Sequence, residues 1–313
     1  MAEFTIVTPV LNQAATIEAC IQSVAIQNAD VEHIIIDGGS TDGTVDIIKK
    51  NEHLLSYWCS EKDLGQSHAI NKGLKKATGT FFNWLNGDDI LTNDALSHIL
   101  SRAKTTTLAL AGQCKHINEK GEELAIGTAK TWGSLEATLG NYSMGQPSLF
   151  YRTSSIRELG GLNEKLHLCM DMDLWFRFLL KHGQTAVVSS DEIVSQFTVH
   201  ENSKSTRFAA EMEKEKYAIY HALAANINLP SCLQLFFGNY PITSQLGYEI
   251  SARFNHEIFL ANFCWHLMIL AYQGGDLELC QAYFDVVKSS NRLSKTETLL
   301  WKTRIASSQL LSK

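Results

Sequence analysis

Apolar runs alternate with helical patterns over the N-terminal third of the chain. Short apolar segments predict strands at residues 4–10, 33–36, 54–59 and 80–85. Apolar residues at helical spacing predict helices between them, at residues 15–27, 42–50 and 66–77. This β-α-β-α-β order indicates a mainly parallel sheet with helices on both of its faces.

The pattern changes further along the chain. Residues 108–200 mix strand patterns with one strong helical pattern at 171–182, and from residue 211 onward the pattern is almost purely helical. We therefore predict two domains, an α/β domain at residues 1–207 and an α-helical domain at residues 208–313. The expected fold class is α/β, with a Rossmann-like, mostly parallel mixed sheet, flanking helices and an α-helical C-terminal region.

Composition narrows the class of protein. The chain has 313 residues, of which 45% are hydrophobic and 19% charged, as in an ordinary globular protein. Its net charge of −6 argues against a nucleic-acid partner, because phosphate backbones are usually bound by a basic face. The most apolar run, residues 258–272, is too short to span a bilayer comfortably and includes Asn262 and His266, so we predict a buried amphipathic helix there.

The cysteines and the N-terminus bear on location. The seven cysteines are an odd number, have no CxxC spacing and lie among apolar neighbours. This pattern predicts free, mostly buried thiols in a reducing compartment. The first residues, MAEFTIVTPVLNQ, lack a basic segment followed by a long apolar run, so no secretory signal is predicted. The expected location is the cytoplasm.

Two adjacent carboxylates, Asp88 and Asp89, follow the predicted strand at residues 80–85. Their charges repel, and a hard divalent cation such as Mg²⁺ or Mn²⁺ would resolve the conflict. The alternative is a solvated turn with helix-capping aspartates, and by itself the pair supports both interpretations equally.

Two further acidic positions are also ambiguous when taken singly. Asp37 follows a predicted strand and precedes two glycines, so it fits either a ligand-binding turn or an ordinary tight turn. Asp171 and Asp173 are two residues apart and point in different directions on a helix. One of them can face the crevice as a general base, or both can be helix N-terminal charges that the dipole favours.

The order of these motifs decides between the alternatives. The chain resembles the family 2 glycosyltransferases, which have the GT-A fold, over about residues 3–205. The resemblance rests on residues 6–12 (IVTPVLN), 36–44 (IDGGSTDGT), 60–66 (SEKDLGQ), 71–73 (NKG), 77–79 (ATG), 84–89 (WLNGDD), 160–164 (GGLNE) and 170–177 (MDMDLWFR).

The resemblance implies a nucleotide-sugar site. Thr8 and Pro9 would line the nucleotide pocket, and Asp37 would accept a hydrogen bond from the base, which the resemblance favours as uracil. Asp63 would lie near the base and ribose, and Asp88 near the ribose or the sugar.

The resemblance also implies a metal and a base. Asp89 would bind the Mn²⁺ or Mg²⁺ ion that bridges the diphosphate, and His200 matches a position that reaches the metal or diphosphate in some relatives. Asp171 would be the general base, whereas Asp173 and Arg177 would be structural. The chain departs from the common pattern at Gly38, where an acidic residue is frequent, and at Met170, which leaves one carboxylate of an acid pair.

The function expected from this resemblance is inverting transfer of a sugar from a nucleotide-diphosphate sugar, favoured as a UDP-sugar, to a hydroxyl acceptor. The acceptor would be a glycan or a lipid-linked glycan in surface polysaccharide or glycoconjugate biosynthesis, reached from the inner face of a membrane. The helical region would pack on the catalytic domain, form a homo-oligomer or support peripheral membrane association, and packing is the favoured role.

Two other functions are weighed against this one. A nucleotidyltransferase normally has a Gly-rich, basic loop after the first strand, whereas this chain has residues 11–15, LNQAA. A catalytically inert GT-A-like binding or scaffold protein would not need Asp37, Asp88, Asp89 and Asp171 together. Measurable donor turnover separates the enzyme from the scaffold.

Overall fold

The computed structural model describes residues 2–201, 203–225, 227–242, 246–290 and 292–311. Its strands are β1 (Phe4–Val10), β2 (Val31–Asp37), β3 (Tyr57–Ser60), β4 (Phe81–Trp84), β5 (Ile90–Leu91), β6 (Ala109–Asn118), β7 (Glu123–Thr128), β8 (Leu149–Arg152) and β9 (Val187–Val199). Its helices are α1 (Ile17–Ala25), α2 (Thr44–Lys50), α3 (Gln66–Lys76), α4 (Ala95–Leu100), α5 (Leu135–Gly140), α6 (Thr153–Glu158), α7 (Met170–His182), α8 (Lys204–Arg207), α9 (Ala209–Leu223), α10 (Ser231–Gly238), α11 (His256–Gln273), α12 (Leu277–Ser289) and α13 (Lys295–Leu311).

The strands form one mixed sheet in the order β3-β2-β1-β4-β8-β6-β9-β5, and β7 pairs with β6. β1 to β4 are mutually parallel, and β6 is parallel to β9. β8 runs antiparallel to both β4 and β6. The predicted mostly parallel mixed sheet is therefore confirmed.

β1 is central because both of its neighbours, β2 and β4, pair with it in parallel. All seven of its residues are buried, as expected for a strand that is covered on both faces. Phe4 packs against Phe81 and Phe150, with ring centroids 5.9 and 5.5 Å away. The apolar run FTIVTPV thus determines both the strand and its place in the sheet.

The chain forms two compact units. One comprises Met1–Lys130 and Ser143–Lys216, and the other comprises Thr131–Tyr142 and Tyr217–Lys313. The first contains the whole sheet, and the second is helical. The predicted domain boundary between residues 207 and 208 stays a prediction.

In the helical unit, α5 packs closely on α11. A Cβ atom at Gly140 would lie 2.7 Å from the Phe259 carbonyl oxygen, so this contact requires glycine. The buried Asn262 Oδ1 accepts hydrogen bonds of 2.7 Å from both Asn141 Nδ2 and Arg292 Nε. The polar residue in the apolar run of α11 therefore has internal partners, and the predicted buried helix is confirmed.

All seven cysteines are free thiols, as predicted. No helix among the described residues combines the length and apolar character needed to cross a membrane.

Candidate active site

The carboxyl ends of several strands share one edge of the sheet. β1, β2, β3 and β4 run in the same direction. β9 does so too, since two antiparallel pairings and one parallel pairing connect it to β4. Ligands of such sheets bind in the crevice beyond these ends. The segments that follow the strands carry most of the predicted site residues.

Asp88 and Asp89 face different surroundings although they are adjacent. The Asp89 side chain is fully buried, its Oδ2 accepts a 3.0 Å hydrogen bond from Asn86 Nδ2, and its Oδ1 has no hydrogen-bond partner among the described residues. Burial and the charge of Asp88 raise the pKa of Asp89 well above its usual value. The Asp88 side chain, in contrast, is 16% exposed.

His200 completes a pair with Asp88. It follows β9 directly, and its Nε2 lies 3.2 Å from Asp88 Oδ2. The backbone N–H of His200 donates a 3.0 Å hydrogen bond to Ser203 Oγ, which holds the turn after the strand. Two residues 112 positions apart in the sequence thus meet because β4 and β9 end at the same edge of the sheet.

Asp37 is fully buried at the end of β2. Its Oδ2 accepts hydrogen bonds from the backbone N–H groups of Gly39 and Ser40, at 3.0 Å each, and from Ser60 Oγ at 2.6 Å. Its Oδ1 accepts a further hydrogen bond from Ser40 Oγ. These contacts occupy the carboxylate within the protein and favour a turn-anchoring role.

Thr8 and Pro9 are buried in β1. The Thr8 hydroxyl lies 2.9 Å from His33 Nε2 and 3.8 Å from Cys20 Sγ, so this side chain is engaged inside the sheet. Contact between these two residues and a nucleotide stays a prediction.

Asp63 occupies the space that an acidic residue at position 38 would need. A Cβ atom on Gly38 would lie 2.9 Å from Asp63 Oδ2, closer than side chains normally approach. Asp63 itself is half-buried, and its Oδ1 accepts a 2.8 Å hydrogen bond from the Gly65 N–H. The departure from the common acid-acid pattern at Gly38 therefore has a local reason, since the Asp63 carboxylate lies there instead.

Asp171 is half-buried in the first turn of α7, and its Oδ1 accepts a 2.8 Å hydrogen bond from the Met172 N–H. Desolvation by burial raises its pKa from 3.8 to about 6, and the charge of Glu215 contributes in the same direction. Asp173 is buried and forms an ion pair of 2.8 Å with Arg177, which fits the structural role predicted for both.

Lys204 lies among the acidic groups of the crevice. Its ammonium donates a 2.6 Å hydrogen bond to Gln66 Oε1, and Gln66 Nε2 donates in turn to Asn86 Oδ1 at 2.6 Å. Desolvation lowers the pKa of Lys204, whereas the nearby charges of Asp63, Asp88 and Glu215 raise it. Lys204 therefore connects the segment after β9 to the Asp88-Asp89 turn.

Sequence reasoning missed three of these residues. Gln66 is the last residue of the motif at residues 60–66 but was given no role, and Lys204 lies four residues after His200. Nothing in their local pattern predicts that they meet. Glu215 lies in a charged helical stretch, EMEKEKY, where each acidic residue resembles an ordinary solvated one. Only long-range folding brings the three into the crevice.

A pocket of about 380 Å³ opens beside His200. Its lining residues are Asn118, Glu119, Lys120, Val199, His200, Glu201 and Thr206. No group of three or more histidine, cysteine, aspartate or glutamate side chains suited to a metal ion occurs among the described residues.

The sequence profile of Glycosyl transferase family 2 matches residues 5–157. The chain is also 30% identical over 185 residues to the PGL/p-HBAD biosynthesis glycosyltransferase of Mycobacterium tuberculosis (strain ATCC 25177 / H37Ra), a match that covers 56% of this chain and 68% of that protein. The chain therefore belongs to glycosyltransferase family 2 and is a transferase enzyme, as predicted.

Solved structures confirm the GT-A fold. S. aureus TarS 1-349, in complex with UDP, has a TM-score of 0.55 at 17% identity, covering 97% of this chain and 87% of that one. The mannosyltransferase PcManGT from Pyrobaculum calidifontis, in complex with GDP-Man and Mn²⁺, has a TM-score of 0.56 at 16% identity, covering 99% of this chain and 86% of that one.

Proposed function

We propose that this protein is an inverting, divalent-metal-dependent glycosyltransferase that transfers a sugar from a nucleoside diphosphate sugar to a hydroxyl of a glycan or lipid-linked glycan. The observation that carries the proposal is that one α/β unit contains both a candidate general base and a candidate cation site. Asp171 has a pKa near 6, suited to a general base, and Asp88 with His200 forms a polar pair suited to a cation.

The residues of the Asp88-Asp89 turn fit a divalent cation. Asp88 and His200, whose Oδ2 and Nε2 atoms lie 3.2 Å apart, are the residues that would hold the cation, since carboxylate oxygen and imidazole nitrogen are both metal donors. The Asp89 carboxyl is buried next to Asp88, and a nearby cation would stabilise its ionised form. Ions of this kind commonly use one or two protein ligands together with substrate phosphates.

We assign the cation to Asp88 and His200 rather than to Asp89, which the sequence had favoured. Asp89 is fully enclosed and already accepts a hydrogen bond from Asn86, whereas Asp88 is partly exposed and faces His200. A cation bound there would offset the charge that develops on the departing diphosphate.

The donor site would extend from Asp88 to Asp63. Asp63 is the half-buried carboxylate beside Gly38, and it replaces Asp37 as our candidate acceptor for a ring N–H of the base, since Asp37 has internal partners. Lys204 would contribute a second positive charge for the diphosphate, because it is a cation placed among acidic groups. Thr8 and Pro9 would shape the pocket from within β1.

Asp171 would act on the acceptor. It takes the proton from the attacking hydroxyl while the acceptor oxygen forms a bond to the anomeric carbon. The bond between that carbon and the diphosphate oxygen breaks, and the nucleoside diphosphate leaves with the electron pair. Attack from the face opposite the leaving group inverts the configuration at the anomeric carbon. General-base catalysis of this kind is typically worth about 10²–10⁴ in rate.

The family resemblance favours uridine diphosphate as the nucleotide of the donor. Because the similar solved structures contain UDP in one case and GDP-Man in the other, both nucleotides are to be tested. We also propose a cytoplasmic location, peripheral membrane association and a homo-oligomer formed through the helical region.

The first experiment is a thermal-shift panel of UDP, GDP, CDP and dTDP, each with Mn²⁺ or with EDTA. A ligand at 100 times its dissociation constant stabilises the native state by about 2.7 kcal/mol. One nucleotide should give a shift that EDTA removes, and Asp88→Asn or His200→Ala should remove it too. Exposed Asp94→Asn serves as the charge-matched control. The absence of any shift in the wild type would favour the inert scaffold.

Turnover tests the chemistry. With the donor that the panel identifies, Asp171→Asn should keep the nucleotide-dependent shift and lose at least about 10²-fold in transfer. Near-wild-type transfer by this variant would contradict the assignment of Asp171 as the base.

A further inference from the structure

Glu215 holds the backbone that leads into α7. Its Oε1 accepts a 3.0 Å hydrogen bond from the His167 N–H, and its Oε2 accepts one of 2.8 Å from the Leu168 N–H. The Cys169 N–H donates to the same Oε2. One carboxylate from α9 thus binds three successive backbone amides, which end at the residue before α7 begins.

A second contact fixes the same segment. Cys169 Sγ donates to the Met212 carbonyl oxygen at 3.4 Å, one turn before Glu215 on α9. The first turn of α7 follows immediately and carries Asp171. The backbone that α9 holds at residues 167–169 thus leads directly into the turn that carries Asp171.

The groups around the Asp171 carboxylate come from several elements. Tyr151 comes from β8, Cys169 from the loop before α7, and Glu215 from α9, and each interacts electrostatically with Asp171. Burial raises the pKa of Tyr151 and of Cys169, so both are neutral at pH 7. Glu215 is the second carboxyl group beside Asp171.

Three cations interact with members of this group or lie close to them. Arg177 acts on Tyr151, Lys216 on Cys169, and Lys204 lies close to Glu215. The charge that bears on Asp171 itself is the negative one of Glu215.

We propose that Glu215 is the positioning residue for Asp171: its carboxylate orders the backbone that starts α7 and places a second negative charge beside the proposed base. This inference rests on the proposed function for its catalytic consequence, but its structural part does not. A second carboxylate charge disfavours the ionised form of Asp171, so it keeps the pKa of Asp171 higher than burial would by itself. The pKa of Asp171 is thereby kept close to the pH at which this residue must take up a proton.

The decisive measurement needs no substrate. Carboxyl ¹³C shifts of aspartate-labelled protein are followed against pH in the full 313-residue chain, and Asp171→Asn assigns the signal. The wild-type signal should titrate near pH 6. In Glu215→Gln it should titrate at lower pH, since the charge is removed and an acceptor oxygen remains. Glu213→Gln, an exposed position on the same helix, should match the wild type.

Kinetics give a second readout with the donor that the nucleotide panel identifies. Glu215→Ala should lower kcat by about 10²-fold, as expected when a catalytic group is misplaced by about 1 Å, and should leave the donor KM within about twofold. Glu215→Asp, whose shorter carboxylate keeps the charge, should recover part of kcat. In Glu215→Gln, the acid limb of kcat/KM should move to lower pH.

An Asp171 titration that is the same in Glu215→Gln and in the wild type would overturn the inference. So would a raised donor KM with unchanged kcat, which would place Glu215 at the donor instead. Failure of the proposed function has another signature: Asp171→Asn would then keep its turnover, whatever the titration of Asp171 in Glu215→Gln.

Discussion

Asp171→Asn is expected to stabilise the folded chain at neutral pH while it removes sugar transfer. Burial raises the pKa of Asp171 from 3.8 to about 6, whereas in the unfolded chain the value is about 3.9. Each pKa unit corresponds to about 1.4 kcal/mol, so the ionised carboxylate costs the folded state about 3 kcal/mol. Asparagine keeps an acceptor oxygen for the Met172 N–H and carries no charge.

The effect has a defined pH dependence. Because the folded pKa is the higher one, the folded state binds more protons than the unfolded state between about pH 4 and pH 6. The stability of the wild type therefore falls as pH rises through this window, and the loss is complete above it. The variant avoids this loss, so its advantage should be about 3 kcal/mol at pH 7.5 and about 1 kcal/mol at pH 4.5.

Urea unfolding of the wild type and of Asp171→Asn at both pH values measures these differences. Asp191→Asn makes the same chemical change at an exposed position and should give a difference within about 0.5 kcal/mol at either pH. A variant advantage that is equal at both pH values, or a variant that is less stable at pH 7.5, would refute the reasoning. In that case, desolvation would not govern the proton affinity of Asp171.

Two further predictions concern the donor site. Lys204→Met should raise the donor KM about tenfold, since a charge-assisted hydrogen bond is worth about 1.5–3 kcal/mol, while Lys49→Met in α2, at a position exposed like Lys204, should not. An unchanged donor KM in steady-state assays would exclude Lys204 from the diphosphate site. Gly38→Asp should destabilise the chain by about 1–3 kcal/mol and weaken nucleotide binding. Its Cβ would lie 2.9 Å from Asp63 Oδ2, and its carboxylate would add a negative charge next to that of Asp63. Thermal denaturation with and without nucleotide tests this, and a variant as stable as the wild type with unchanged binding would show that Asp63 is free to move.

The sequence by itself determined the elements and the fold class. The largely apolar FTIVTPV predicted β1 with its observed bounds, and the apolar run at residues 258–272 predicted a helix that lies within α11. Elements of this kind are predictable because burial imposes a local period on the chain. Short elements without such a period, α5 and α10 among them, were not predicted.

The sequence also determined which strand ends carry chemistry. In a parallel sheet, polar residues that follow apolar strands must gather at one edge, so Asp37 and the Asp88-Asp89 pair could be placed at the same edge without coordinates. The motif order then gave the family, which the comparisons confirm.

Tertiary structure decided which way each group faces and what lies beside it. Asp88 and Asp89 are equivalent in sequence, but the chain buries one and turns the other toward His200, 112 residues away. Lys204 and Glu215 lie at the crevice, but the local sequence patterns around them do not predict this position. The physical reason is that hydrophobic periodicity specifies which face of an element is buried, whereas the partner of a polar side chain depends on how distant elements pack.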